Sequence, residues 1–411
     1  MVANRPHDAR FNMAVRWELP AGTLLDDGLA SLRLLIERHE ILRTRFAESP
    51  GEPPTQVVDR RGVHPVLIVD AAGQDRGGSP VDPVRDLAAR RFEPTQEYPA
   101  RFCVAVLDGR ALWLGAALSH LAVDAAGTEI LRRDLRAAAA RMAGAPDPEP
   151  GRPAVLQPLD QAEGEQSSAG RAASRRAAEL WRQALTGTPA SLPEAPSLPA
   201  ADPAFPARLL CARGLGARAQ ELADRLDVGI SAVFIGAATA ALAAHQGVDA
   251  QSVVVTCGNR MARRMAGYAG TVAQQGVIRL DSLGAPASDV ITRTWEALLT
   301  VHESSAYEPA DVNRVLRELT GKPHVGHYVN FVEEHVPLHP TEVFQALGRD
   351  AWVTVPGPTV TSSFLRYGLT LVANQEDVVL RMFADGRLMS ATAIDGVLDG
   401  VRTRVAGSRP L

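Results

Sequence analysis

The chain has 411 residues, 46% of them hydrophobic and 22% charged, which are the proportions of a globular protein long enough for two domains and a large core. Its 43 basic and 47 acidic residues leave a formal net charge of −4, so electrostatics offer no case for a nucleic-acid or anionic-membrane partner. No run reaches the roughly 18 apolar residues of a membrane span, and residues 1–10 are polar and lack a signal-peptide core, so a cytoplasmic location is expected.

Leu24 to His39 is amphipathic, with Leu25, Leu29, Leu32, Leu35 and Ile36 at helical spacing. Thr23 is placed to cap it, and Asp26 and Asp27 fall in its first turn. Gln56 to Val58 and Val66 to Val69 read as strands, and Val84 to Arg91 as a short helix. Phe102 to Leu107 and Ala111 to Leu118 form a hairpin around Asp108-Gly109, a dipeptide that tolerates the positive φ of a two-residue turn. The second of these strands is apolar throughout and reads as buried. A helix follows from Thr128 to Met142.

Residues 144–206 are rich in Pro, Ala, Gly, Ser and Glu and read as a surface linker interrupted by one helix, Ala169 to Leu185. Beyond it, helices are expected at Ala217 to Leu226, Ser231 to His245, Ser288 to His302 and Ala310 to Leu319. Strands are expected at Ser252 to Cys257, Val277 to Leu280, His327 to Val332, Trp352 to Val355, Leu369 to Ala373 and Val378 to Phe383, with a turn at 374–377 and a last helix from Ala391 to Val405. The predicted organisation is therefore α+β in two lobes: an N-terminal lobe over 1–150, a linker over 151–206 and a C-terminal lobe over 207–411.

Cys103, Cys211 and Cys257 are odd in number and far apart, which suits reduced core residues better than a disulfide or metal framework. Lys322 is the only lysine and sits in the turn-like Gly321-Lys322-Pro323, a poor setting for Schiff-base chemistry. The chemistry-bearing pattern is Ser119-His120-Leu121-Ala122-Val123-Asp124-Ala125, at the end of the buried strand. Histidine is the side chain whose charge changes near neutrality, so His120 is the candidate acid–base group. By itself such a His-x-x-x-Asp pair is more often structural than catalytic. Ser119 is poorly placed to be activated by His120, because neighbours on a strand point to opposite faces. His120 and Asp124 have no third metal ligand nearby, and His324, His327, His335 and His339 lack a zinc spacing, so no metal is expected.

The chain resembles the condensation-domain superfamily of nonribosomal peptide synthetases, relatives of chloramphenicol acetyltransferase. Arg38-His39-Glu40-Ile41-Leu42-Arg43-Thr44-Arg45-Phe46 matches the family's Arg-His-Glu-x-Leu-Arg-Thr-x-Phe block. Ser119 to Ala125 aligns with its His-His-x-x-x-Asp-Gly motif, with Ser119 for the first His and Ala125 for the Gly. Gly258-Asn259-Arg260 resembles a Gly-Arg block, and Gly270 to Arg279 resembles Gly-x-Phe-x-Asn-Thr-x-x-x-Arg with Gln274 and Gln275 for Asn and Thr. Leu369-Thr370-Leu371 resembles the Asp-Leu-Thr-Leu ending, with Gly368 for the Asp. Trp181 to Leu185 and Tyr307-Glu308-Pro309 are weaker echoes. Family members usually carry about two dozen further residues before the position of Phe11, so an edge element must be covered or paired in another way.

The resemblance implies two chloramphenicol-acetyltransferase-like lobes in a V-shaped pseudo-dimer with a channel between them, and a monomer with one active site. It implies acyl transfer from a thioester on a carrier protein's phosphopantetheine arm to a small-molecule or carrier-bound amine, with no cofactor bound by the chain itself. His120 is then the catalytic residue. Asp124 is structural and pairs with an arginine, for which Arg43 and Arg260 are the candidates, with Ser119 in support. Ala125, Gly127, Gln274, Gln275 and Ser363 are the channel or substrate-side candidates. The start at Met1 and the stop soon after the last helix suggest a free-standing protein whose acyl or peptidyl carrier acts in trans. Two alternatives stand beside amide formation: a catalytically silent module that binds carrier proteins or recruits a tailoring enzyme, and an ester-forming acyltransferase using acyl-CoA or an acyl carrier.

Overall fold

A computed structural model of the chain describes residues 9, 12–47, 55–73, 82–145, 155–186, 204–320, 327–333, 351–355, 367–373 and 376–407. The chain divides into two units, Met1–Gly164 with Arg260–Val272, and Glu165–Asn259 with Ala273–Leu411.

The first unit holds strands β1 (Asn12–Glu18), β2 (Thr44–Ala47), β3 (Thr55–Val58), β4 (Val66–Asp70), β5 (Ala100–Leu107) and β6 (Arg110–Ser119). Its helices are α1 (Leu25–Arg38), α2 (Pro83–Ala89), α3 (Ala125–Met142) and α4 (Pro158–Gln166), the last of which ends just inside the second unit. The main sheet has the order β1-β6-β5-β4, and β2 and β3 form a separate antiparallel pair. Strand β6 is covered on both faces, which is why its sequence is continuously apolar rather than alternating. Leu114, Ala116 and Leu118 enter a core with Leu32, Leu35 and Ile36 of α1 and Leu131 and Leu135 of α3. Trp113 packs on the other face with Val84 of α2 and Cys103. The β5–β6 hairpin turns through Asp108 (φ 49°) and Gly109 (φ 75°), the two left-handed positions that match strand twist.

Helix α1 departs from expectation at its start. Its N-cap is Leu24, which offers no side-chain acceptor, and the Thr23 hydroxyl donates instead to the Pro20 carbonyl at 2.6 Å. Thr23 is therefore a turn residue. Helix α3 starts three residues earlier than periodicity indicated, because Asp124 caps it.

The second unit holds α5 (Ser168–Leu185), β7 (Ala207–Ala212), α6 (Leu215–Leu226), α7 (Ile230–Gln246), β8 (Gln251–Cys257), β9 (Gln274–Leu280), α8 (Ala287–Glu303), α9 (Pro309–Thr320), β10 (His327–Glu333), β11 (Ala351–Val355), β12 (Tyr367–Ala373), β13 (Val378–Ala384) and α10 (Ala391–Ala406). Among the described residues, its mixed sheet has seven strands in the order β11-β7-β13-β12-β10-β8-β9. Helix α7 is apolar on every side because its whole span from Ala232 to Ala243 is buried. Its alanines and Gly236 allow close approach by neighbouring helices: Gly400 of α10 comes against Ala241, and Gly236 against Thr294 of α8. Among the described residues no single helix is long and apolar enough to cross a membrane.

Two expectations about domain boundaries are corrected. Among its described residues, the stretch read as a linker contains two helices rather than one. The second, α5, belongs to the second unit, where Trp181 is buried against Val254, Val277, Val315 and Leu316. Its small and charged residues disguise an amphipathic face that carries one large anchor. The other correction is that Arg260–Val272 lies in the C-terminal half of the sequence but belongs to the first unit.

Candidate functional site

Strand β6 ends at Ser119, and the chain turns at once: the amides of Ala122 and Val123 both donate to the Ser119 carbonyl, at 3.0 and 3.1 Å. His120 rides on this turn, half-buried, and its Nδ1 lies 3.0 Å from the Val123 carbonyl oxygen. A carbonyl can only accept, so Nδ1 carries the proton in this bond. In the neutral ring that leaves Nε2 as a bare acceptor, which is the form a proton-accepting imidazole needs.

Asp124 follows the turn and is 3% exposed. Its Oδ1 accepts from the Gly127 amide at 2.8 Å and from Arg260 Nη2 at 2.7 Å, and its Oδ2 accepts from the Val272 amide at 3.0 Å. A buried carboxylate without such donors would cost several kcal/mol (about 3–5 for one left unpaired). Arg260 also donates to the carbonyls of Tyr268 and Gly270. One carboxylate thus starts α3 and holds the Arg260–Val272 strap against the turn that bears His120. The strap makes further bonds to the turn: the Thr271 amide donates to the Ala122 carbonyl at 2.8 Å, the Thr271 hydroxyl donates to the His120 carbonyl at 3.1 Å, and Val123 and Gly270 form an isolated antiparallel bridge.

Of the two arginines considered for Asp124, the structure brings in Arg260. Arg43 is a correction: it lies in the turn after α1, pairs with Glu40 at 3.2 Å, and donates to the Asp59 carbonyl. Asp59 sits just beyond β3 and donates its amide back to the Arg43 carbonyl, so Arg43 serves the β2–β3 pair. Ser119 is buried and its Oγ accepts from the Leu121 amide at 3.4 Å, a contact with the turn backbone rather than with the imidazole.

Ala125 is the first residue of α3 and has ordinary helical backbone, so its place does not demand glycine. Gly127, a substrate-side candidate, packs against the strap. A Cβ there would lie 2.1 Å from the Ala269 carbonyl oxygen, so the strap can approach α3 only over a glycine. Gln274, another substrate-side candidate, also has a structural role. Its Nε2 donates to the Tyr307 carbonyl at 2.8 Å and its Oε1 accepts from the Tyr307 amide at 3.0 Å, so the side chain clamps backbone. The Gln275 side chain is half-buried, and its carbonyl accepts from the Tyr307 hydroxyl at 2.7 Å. Ser363, His324, His335 and His339 lie outside the described residues, and His327 is described only as backbone of β10.

The Arg-His-Glu block is a packing device. Arg38 Nε and His39 Nε2 lie 2.7 and 2.9 Å from Asp134 Oδ2 on α3, and the Asp134 side chain is 1% exposed. Burial alone would raise the Asp134 carboxyl, but the hydrogen bonds from His39 and Arg38 outweigh it and hold it well below the usual carboxylate range. This triad locks the end of α1 to the helix that Asp124 caps. The three cysteines are buried and unbridged, and burial pushes the Cys103 and Cys257 thiols up to about 11, which makes them poor nucleophiles. Among the described residues no three His, Cys, Asp or Glu side chains cluster as metal ligands.

Sequence reasoning missed Thr271 and Val272. Gly270 falls inside the fourth motif block, but nothing local marks its neighbours as partners of a turn 151 residues away.

A family model described as Condensation domain matches residues 3–347 of the chain. Over 106 residues the chain is 35% identical to nonribosomal peptide synthetase 32 of Fusarium pseudograminearum strain CS3096, a stretch that is 25% of this chain and 1% of that protein. A solved structure that describes condensation domain-mediated chain release from the enacyloxin polyketide synthase aligns with a TM-score of 0.73 at 17% identity, covering 97% of this chain and 78% of that one. The X-domain from teicoplanin biosynthesis aligns with a TM-score of 0.65 at 20% identity, covering 96% of this chain and 89% of that one. At these identities the structural likeness is one of fold, the α+β chloramphenicol-acetyltransferase-like class.

Proposed function

The chain belongs to the condensation-domain family, and from that premise we propose that it is an acyltransferase of natural-product assembly, joining a carrier-protein-bound acyl or aminoacyl thioester to an amine. The observation that carries this reading is His120, with Nδ1 tied to the Val123 carbonyl and Nε2 left as acceptor on a turn pinned through Asp124 and Arg260. A thioester is already activated, so the donor carries the reactivity and the chain needs no cofactor of its own. The neutral amine adds to the thioester carbonyl carbon, a C–N bond forms and the C–S bond breaks. His120 Nε2 accepts the proton the amine sheds, and the departing thiolate is protonated to the pantetheine thiol. Holding donor and acceptor in line contributes through proximity, and the histidine through proton transfer, worth about 10²–10⁴-fold.

Ser119 in place of the family's first histidine favours a second reading, a silent module that binds a carrier without turning it over. The test is acyl transfer by wild type and His120→Ala, with acyl-pantetheine, acyl-CoA and separately supplied acyl-carrier donors against amine and alcohol acceptors. Product is read by mass, and circular dichroism confirms that the variant is folded. Amide product that falls at least about 100-fold in the variant supports the proposal. Ester product, or a preference for acyl-CoA, replaces it with an O-acyltransferase. No product alongside measurable carrier binding replaces it with the silent module.

A further inference from the structure

The peptide unit that follows His120 is held at both ends by side-chain hydroxyls. Its carbonyl, that of His120, accepts from the Thr271 hydroxyl at 3.1 Å, and its N–H, that of Leu121, points to Ser119 Oγ at 3.4 Å. The Thr271 hydroxyl is surplus to the attachment of the strap. The Thr271 and Val272 amides already bond the Ala122 carbonyl and Asp124, and Arg260 already bonds Asp124. The main-chain bonds therefore hold the strap in place, and the hydroxyl is left to act on one carbonyl, that of His120.

That carbonyl matters because the imidazole folds back onto its own turn. The His120 ring reaches the Val123 carbonyl only if the peptide planes between residues 120 and 123 keep their orientation. A peptide free to rotate would draw the Val123 carbonyl and the ring out of register, and the proton would distribute between Nδ1 and Nε2.

We infer that Thr271 is a positioning residue for His120. Its hydroxyl fixes the 120–121 peptide, keeps the proton on Nδ1, and so keeps the Nε2 lone pair available to the acceptor. The inference rests on the proposed role of His120 as the group that faces the acceptor, and its test separates the two.

Thr271→Val is close to isosteric and keeps the main-chain bond to Ala122, while Thr271→Ser restores the hydroxyl without the methyl. Long-range proton–nitrogen spectra of histidine-labelled protein, with the His120 signals identified by their loss in His120→Ala, read the ring tautomer with no need for turnover. We expect a single Nδ1–H tautomer in wild type and Thr271→Ser and a mixture in Thr271→Val. With donors that wild type turns over, kcat of Thr271→Val should fall about 5–10-fold, the range of one neutral hydrogen bond, with KM within about twofold and recovery in Thr271→Ser. A wild-type tautomer and kcat in Thr271→Val overturn the positioning role. If Thr271→Val does not fold, a tautomer mixture in Thr271→Ala supports the role and a single Nδ1–H form overturns it. A mixture in Thr271→Val together with a wild type that transfers nothing leaves the positioning intact and removes the acyltransferase.

Discussion

Asp124→Asn tests whether one carboxylate organises the site. The wild-type group offers acceptors on both oxygens: Oδ1 accepts from the Gly127 amide and Arg260 Nη2, and Oδ2 accepts from the Val272 amide. An asparagine that keeps its oxygen at the Oδ1 position turns its NH2 toward the Val272 N–H, donor against donor. The alternative rotamer faces two donors with the NH2 and is worse. The better placement loses one hydrogen bond, leaves a buried amide unsatisfied for about 1–3 kcal/mol, and removes the charge paired with Arg260. Breaking a buried ion pair costs about 3–5 kcal/mol, but Arg260 keeps the carbonyls of Tyr268 and Gly270, so about 2–4 kcal/mol is expected for Asp124→Asn. Urea unfolding followed by tryptophan fluorescence reads this directly, since Trp17 and Trp113 are both buried in the first unit. Hydrogen exchange supplies the local readout: amides in Arg260–Val272 should exchange about 30–1,000-fold faster. In an Asp124→Ala, Arg260→Met cycle the double variant should lose less than the sum of the singles, because the second change removes the stranded charge. Wild-type unfolding midpoint and strap exchange in Asp124→Asn, or strict additivity in the cycle, would refute the reasoning.

Two further outcomes follow from the structure. The folded-state carboxyl of Asp134 is depressed, so its contribution is present above the unfolded carboxylate value of about 4 and is lost as pH falls toward the native value. Wild type should therefore lose more stability between pH 5 and pH 2 (about that window) than Asp134→Asn does, and parallel pH profiles of the two would sink the triad argument. At Gly368 a Cβ would lie 2.3 Å from Cε1 of Phe383, its cross-strand partner on β13. Gly368→Ala should cost about 1–3 kcal/mol as an overpacking change, and Phe383→Leu in the same chain should relieve part of it. A measured cost unaffected by the second substitution would mean that the ring is not the obstacle.

Much of the fold was legible because burial follows from periodicity. The hairpin at Asp108-Gly109, the wholly apolar β6 and the amphipathic α1 are local patterns, and each forms where the pattern indicated, within a few residues. The exceptions have physical causes. Thr23 had the chemistry of a cap but spends its hydroxyl on the Pro20 carbonyl. Helix α5 was half hidden because small residues can bury a face with little hydrophobic signal, leaving Trp181 to carry it.

The site divides in the same way. The sequence alone determined that a histidine and an aspartate stand between a buried strand and a helix, because strand, turn and cap are set by residues within a few positions of one another. It could not choose between Arg43 and Arg260, which have the same side chain and both lie in matching blocks. It also could not show that Gly127 is needed for the Ala269 carbonyl rather than for a substrate, or that Thr271 reaches the backbone of His120. Only the tertiary structure decided these, because the partners are separated by 136 residues for Asp124 and Arg260 and by 151 for His120 and Thr271. Local sequence sets backbone conformation, but a hydrogen bond across that separation exists only once both segments have packed.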